Sequence, residues 1–119
     1  MSNDGLLFPK PERKKKRKKH KKSILRTEKN VCFLCAYKYG DHSYKYTEKH
    51  HILFGAGQRT DSEEEGLTVD LCREHHRDGP EAAHNCRETR ELLCRIAQKE
   101  YEKTHTREEW MQKFRKNYL

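Results

Sequence analysis

The chain has 119 residues, of which 32% are hydrophobic and 39% charged, and its formal net charge is +8. This length has room for one small domain, and the low apolar content leaves little material for a core. We therefore expect a structural metal to contribute to its stability. No apolar stretch resembles a signal peptide or a membrane span, which excludes a membrane protein.

The positive charge is concentrated in the first 22 residues. They contain ten Lys or Arg and two acids, whereas the rest of the chain has equal numbers of bases and acids. Such a like-charged segment predicts a disordered arm, with a linker to residue 30, that contacts nucleic-acid phosphates without sequence preference. A solubility or localisation tail is the alternative. The residues expected to contact DNA are Arg13, Lys14, Lys15, Lys16, Arg17, Lys18, Lys19, Lys21 and Lys22.

Residues 31–119 are predicted to form a single α+β domain. It opens on Cys32-x-x-Cys35 between apolar residues, which is typical of a zinc knuckle. The alternating aromatic and polar residues 37–46 favour a turn or short hairpin over a helix. Residues 48–54 are strand-like towards their end, and they break at Gly55-Ala56-Gly57, where glycine lets the backbone approach a ligand.

The second half of the domain is predicted to contain one more strand and several helices. Apolar and polar residues that alternate with a period of two indicate the strand. The helices are indicated by capping residues at their starts, by apolar residues at helical spacing and by a Gly-Pro pair that ends the short helix. The predicted elements are a capped turn at 60–63, a strand at 67–71, a short helix at 73–78, a long helix at 83–103 and a final helix from Thr106 to about Lys116.

Four residues have the spacing of a structural zinc site. Cys32-x-x-Cys35 and Cys72-x-x-His75 are two pairs separated by 36 residues, and they supply the four sulfur or nitrogen ligands that such a site needs. The odd number of cysteines favours metal-bound thiolates over disulfides, and hence a reducing, cytoplasmic setting. His76 is an alternative fourth ligand.

Paired histidines indicate a second metal site. His50 and His51 point to opposite sides of an extended chain, so one ring can bind a metal while the other transfers a proton. If His75 binds zinc, then His76 can face this pair, and one divalent ion would be held with open positions beside a free base. A purely structural second zinc site is the alternative. His84 is either an extra ligand or a residue at a helix start.

The chain resembles the HNH, or ββα-metal, nucleases that contain a zinc knuckle. It is most similar to small phage-encoded HNH proteins of the recombination-enhancement (Ref-like) type, and the likeness covers about residues 31–119. The residues that carry it are Glu48-Lys49-His50-His51-Ile52, Cys32-x-x-Cys35, Leu71-Cys72-x-x-His75-His76, the stretch SEEEGLTVDLCREHH and the ending KFRKNYL.

The resemblance implies a zinc-stabilised ββα-metal core, followed by two C-terminal helices, that hydrolyses phosphodiester bonds in DNA. His51 corresponds to the general base, and His50 and His76 to ligands of a catalytic Mg²⁺, Mn²⁺ or Zn²⁺ ion. The family's middle Asn corresponds to Leu67, and the candidates to take over the role of that Asn are Gln58, Asp61 and Asp70. The host cytoplasm would be the setting, with single strands or recombination intermediates among the candidate substrates.

Two functions therefore remain open at the level of the sequence. The first is a metal-dependent DNA endonuclease of the HNH type, related to recombination. The second is a catalytically inactive zinc module that binds nucleic acid or a protein partner, and Leu67 favours it. A transcription-type zinc finger is disfavoured because the helix after Cys72 is short and ends at Gly79-Pro80.

Overall fold

The fold is given by a computed structural model that describes residues 21–55 and 57–119. The prediction of a disordered arm, and seven of its nine expected DNA contacts, lie outside the described residues. The other two, Lys21 and Lys22, have exposed side chains.

The described residues form a small α+β fold with one two-stranded sheet. A π-helical turn, Glu74–Asp78, stands between the second strand and the two C-terminal helices. None of the helices in residues 21–55 and 57–119 is both long enough and apolar enough to cross a membrane. In chain order the elements are α1 (Phe33–Tyr39), β1 (Glu48–His51), α2 (Gln58–Glu65), β2 (Thr68–Leu71), the π-helical turn, α3 (Arg87–Tyr101) and α4 (Arg107–Phe114).

The two strands pair in an antiparallel register that places the histidine pair at the centre of the fold. His50 lies opposite Val69 and His51 opposite Thr68. Side chains alternate along a strand, so the two imidazoles leave β1 on opposite faces. The backbone of Ile52 then donates a hydrogen bond to the Leu67 carbonyl (3.0 Å), which extends the pairing beyond the strands.

Helix α1 corrects part of the prediction for residues 37–46. The Cys32 sulfur caps the helix by accepting a hydrogen bond from the Cys35 N–H, and the helix continues through Tyr39. It ends at Gly40, whose positive φ of 65° suits glycine. The predicted turn or hairpin is therefore wrong for residues 37–39, which are helical, because the metal-site cysteine itself supplies the helix cap.

Helices α3 and α4 close the core over the sheet. Trp110 and Leu93 are both 0% exposed, and the Trp110 indole N–H donates to the Lys116 carbonyl (2.7 Å). The predicted capping box is confirmed, since Thr106 and Glu109 form both of its hydrogen bonds. Helix α3 begins at residue 87, four residues later than predicted, because residues 79–86 form turns instead.

Helix α4 also holds α2 in place. The Gln58 side chain donates to the Phe114 carbonyl (3.0 Å). Lys113 donates to the carboxylates of Glu64 (3.2 Å) and Glu65 (2.6 Å). These contacts fix α2 beside β1, where Glu63 of α2 faces one of the histidines described below.

Candidate metal centres

The four predicted zinc ligands converge in the structure. The Nδ1 atom of His75 lies 3.5 Å from the Cys32 sulfur, 3.4 Å from the Cys35 sulfur and 3.3 Å from the Cys72 sulfur. The Cys35 and Cys72 sulfurs are 4.0 Å apart. We call these four residues the thiolate cluster. It joins the start of α1 to the end of β2 and the π-helical turn.

These separations agree with tetrahedral zinc. With Zn–S bonds of about 2.3 Å and a Zn–N bond of about 2.05 Å, tetrahedral geometry places sulfur and nitrogen about 3.6 Å apart and two sulfurs about 3.8 Å apart. The thiolate cluster is therefore compatible with a structural zinc site, and His75 rather than His76 supplies the nitrogen. All five cysteines are free of disulfides.

Metal binding and the ionisation of the cysteines are coupled in the thiolate cluster. Burial raises the pKa of the Cys35 thiol to about 12, so at neutral pH a cation is needed to hold it as a thiolate. The Lys45 ammonium donates to the Cys35 sulfur (3.4 Å) and so adds a positive charge beside it. Burial also lowers the pKa of His75, which keeps its ring neutral and able to bind metal.

A second cluster consists of three imidazoles, from His50, His76 and His84, which we call the histidine trio. Their ligand nitrogens all lie within 4.8 Å of one another. The ring centroids of His76 and His84 are 4.9 Å apart, and each lies 5.2 Å from that of His50. The Phe54 ring packs against this group, 5.0 Å from the His84 centroid.

Each member of the histidine trio is placed by a different backbone feature. His50 comes from β1 and His76 from the π-helical turn, one residue after the zinc-site histidine. His84 lies in the turn before α3, where its N–H donates to the His76 carbonyl (3.2 Å). Asn85 fixes this turn by donating to the carbonyls of Arg77 (2.6 Å) and Gly79 (2.9 Å).

His50 is buried in a way that suits a metal-binding histidine. The residue is 2% exposed, and its Nε2 atom is buried without a hydrogen-bond partner among the described residues. A buried polar atom without a partner costs on the order of 1–3 kcal/mol. Burial, with smaller contributions from neighbouring histidines, lowers the pKa of His50 to about 3. The ring is therefore neutral at pH 7, and a cation at the centre of the trio would satisfy Nε2.

His76 is oriented by a carboxylate. Its Nδ1 lies 2.7 Å from Glu48 Oε1, and the other carboxylate oxygen accepts hydrogen bonds from Arg77 (2.8 Å) and Tyr46 (3.1 Å). The hydrogen bond to His76 is the main cause that lowers the pKa of Glu48 to about 2. A histidine that donates Nδ1–H to a carboxylate presents the Nε2 lone pair, which is the usual arrangement of metal-binding histidines.

His51 stands outside the trio but faces the same cavity. Its Nε2 forms a 2.7 Å hydrogen bond with Glu63 Oε1. The other oxygen of Glu63 accepts from Lys49 (3.0 Å). The sequence singled out Glu63 only as a helix-capping residue, and its approach to His51 depends on the packing of α2 against β1.

The cavity in front of these residues has a volume of about 340 Å³ and is lined by His50, His51, Phe54, His76, His84 and basic side chains. The basic residues are Lys49 and Arg59. The imidazoles and the two basic side chains around this cavity suit an anionic group of the size of a phosphodiester. The prediction that imidazoles from both His-His pairs converge is thus matched by His50 and His76, but the third ring is His84.

The position expected to carry the family's middle Asn is part of the core. Leu67 is 0% exposed and packs in the core with Val69 and Leu71. Of the suggested substitutes, Gln58 donates to the Phe114 carbonyl instead. The polar contact to His51 comes from Glu63, four residues earlier than Leu67.

Comparisons with known proteins do not assign a family to the chain. No protein-family model matches it, and searches of curated proteins and of solved structures found no significant match. Any function must therefore be argued from the geometry of the two clusters.

Proposed function

We propose that this protein is a metal-dependent DNA endonuclease of the HNH type, with the thiolate cluster as structural zinc site and the histidine trio as catalytic metal site. The observation that supports this most is the unpartnered Nε2 of His50. It lies with His76 and His84 in a cavity that also holds His51, Glu63 and two basic side chains. Metal ligands, a base and anion-binding groups thus share one cavity.

The donor set indicates which ion the trio would hold. Three neutral imidazoles suit Zn²⁺ and other first-row transition ions, whereas Mg²⁺ prefers carboxylate and water oxygens. Small rotations of the three rings would bring their nitrogens to one ion. When bound, such an ion would supply Lewis acidity to a phosphoryl oxygen and offset charge on the leaving oxygen.

His51 has the surroundings of a general base. If its Nε2–H is donated to Glu63, the lone pair is on Nδ1, which can take a proton from water. The water oxygen forms a bond to phosphorus, and the bond from phosphorus to the leaving 3′ oxygen breaks. Glu63 then stabilises the imidazolium, and Arg59 at the cavity binds the phosphate.

The experiment is a nicking assay on supercoiled plasmid with Zn²⁺, Mn²⁺ or Mg²⁺. We expect His51→Ala to lower the nicking rate by about 10²–10⁴-fold, the usual contribution of a general base. Met111→Ala, which changes an exposed residue of α4 outside the cavity, is the control. Nicking by folded His51→Ala at the unsubstituted rate would exclude this mechanism.

An inactive zinc module that binds nucleic acid or a protein partner is the second candidate, favoured by the burial of Leu67 where the family has a polar residue. The two candidates differ in the same assay. The inactive module predicts no nicked product with any of the three ions, although the protein is folded and contains zinc. In that case the histidine trio would be a second structural site.

A further inference from the structure

The exposed aromatic residues are concentrated in one segment. In the described part of the chain, four aromatic residues are exposed, and all four are tyrosines within residues 37–46. Their exposed fractions are 58% for Tyr37, 66% for Tyr39, 82% for Tyr44 and 62% for Tyr46. We call these four residues the tyrosine segment. The zinc site does not account for them, since none is a metal ligand.

Lys45 anchors this segment to the rest of the domain. Lys45 donates its N–H to the Asn30 carbonyl (2.7 Å), and its ammonium turns inward to the Cys35 sulfur (3.4 Å). The neighbours on either side, Tyr44 and Tyr46, are both exposed. The inward Lys45 thus anchors the backbone between two rings that are open to solvent.

The tyrosine segment continues into the candidate active site. The Tyr46 hydroxyl donates to Glu48 (3.1 Å), and the same carboxylate holds His76 of the histidine trio (2.7 Å). At the other end, the Tyr39 ring lies 6.3 Å from the His75 ring. The tyrosine segment is thus connected to the histidine trio through Glu48.

We propose that the tyrosine segment binds single-stranded nucleic acid by stacking bases on its rings and leads that strand to the histidine trio. This rests on the proposed function, whose substrate class it narrows. Exposed tyrosines also occur in protein interfaces, but here Tyr46 is linked through Glu48 to the cavity proposed to bind a phosphodiester, and this favours a nucleic-acid strand as the partner. Bases in a duplex have their faces covered, whereas those of a single strand are open to aromatic rings.

The test is fluorescence anisotropy with a labelled oligothymidine, measured on the full chain and repeated with a duplex of equal length. The basic arm contributes salt-sensitive binding to both ligands, so affinities are compared at high salt, where stacking persists. We expect the single strand to bind more tightly. Tyr44→Leu should weaken its binding about tenfold, as expected for the loss of one stacked ring, and Tyr44→Leu/Tyr46→Leu should weaken it further.

Two controls make the result specific. Tyr44→Phe/Tyr46→Phe keeps both rings and removes both hydroxyls. It should bind the single strand as tightly as the unsubstituted protein does. Met111→Ala changes an exposed apolar residue on α4 and should also have no effect. Zinc content and circular dichroism check that each variant is folded.

The outcomes separate this proposal from the proposed function. Equal affinity for single strand and duplex, or unchanged binding in the double Leu variant, would overturn it. Ring-dependent binding without any nicking of plasmid or oligonucleotide would leave the stacking surface in place and exclude the nuclease. Nicking by a protein whose single-strand binding does not depend on the tyrosine rings would support the nuclease and exclude the stacking surface.

Discussion

Replacing Cys72 of the proposed zinc site should unfold this protein, because the thiolate cluster joins the start of α1 to the end of β2 and the π-helical turn. The sulfur of Cys72 lies 3.3 Å from the His75 nitrogen, and that nitrogen in turn lies 3.5 Å from the sulfur of Cys32, 43 residues earlier. Cys72→Ser keeps the shape of the side chain but replaces a strong zinc ligand by a weak one. Three ligands would then remain.

The expected loss is large relative to the stability of so small a domain. Structural zinc contributes about 10–16 kcal/mol to the folding of small modules. The total free energy of unfolding of a small domain is about 5–15 kcal/mol. Loss of the ion therefore removes as much as the whole stability, and we expect Cys72→Ser to be largely unfolded at 25 °C rather than merely less stable.

Trp110 reports the result, since it is the only tryptophan and is 0% exposed. Its emission should shift to longer wavelength in Cys72→Ser, and also when a chelator strips the unsubstituted protein, with recovery on adding Zn²⁺. His84→Ala is the matched control, because it removes an imidazole from the histidine trio and leaves the thiolate cluster complete. Buried-type Trp110 emission in zinc-free protein would refute the reasoning.

Three further predictions test other parts of the molecule. Glu63→Gln should lower the nicking rate by about tenfold to a hundredfold, a part of what a general base contributes, with zinc content unchanged; an unaltered rate would remove Glu63 from the mechanism. Leu67→Asn should lower the free energy of unfolding by about 2–5 kcal/mol in urea titrations, because it buries a polar group and loses apolar contacts; unchanged stability with faster nicking would show that position 67 belongs to the site. Deleting residues 1–20 should flatten the dependence of DNA affinity on salt, since eight of the chain's Lys and Arg residues are removed; the same salt slope in the shortened protein would mean that these residues do not contact phosphates.

The residues of the thiolate cluster could be predicted because the pattern that identifies them is local in the sequence. The two-residue spacing in Cys32-x-x-Cys35 and in Cys72-x-x-His75 is typical of structural zinc sites. Only the approach of the two pairs to each other depends on the tertiary fold. The capping box at Thr106 and Glu109 is local in the same sense.

The rest of the candidate site depends on tertiary packing. His84 joins the trio through a turn held by Asn85, and residues 79–86 carry no pattern that distinguishes this turn from a helix start. Glu63 reaches His51 because contacts from α4 hold α2 against β1. Helix α1 was missed because a cysteine sulfur, rather than one of the usual capping side chains, begins it.

His75 and His76 are consecutive residues, yet the first belongs to the thiolate cluster and the second to the histidine trio. A single peptide unit, about 3.8 Å between Cα atoms, therefore separates the two clusters. An insertion or deletion of one residue here would displace a histidine from one cluster or the other, so the spacing of both depends on this one dipeptide.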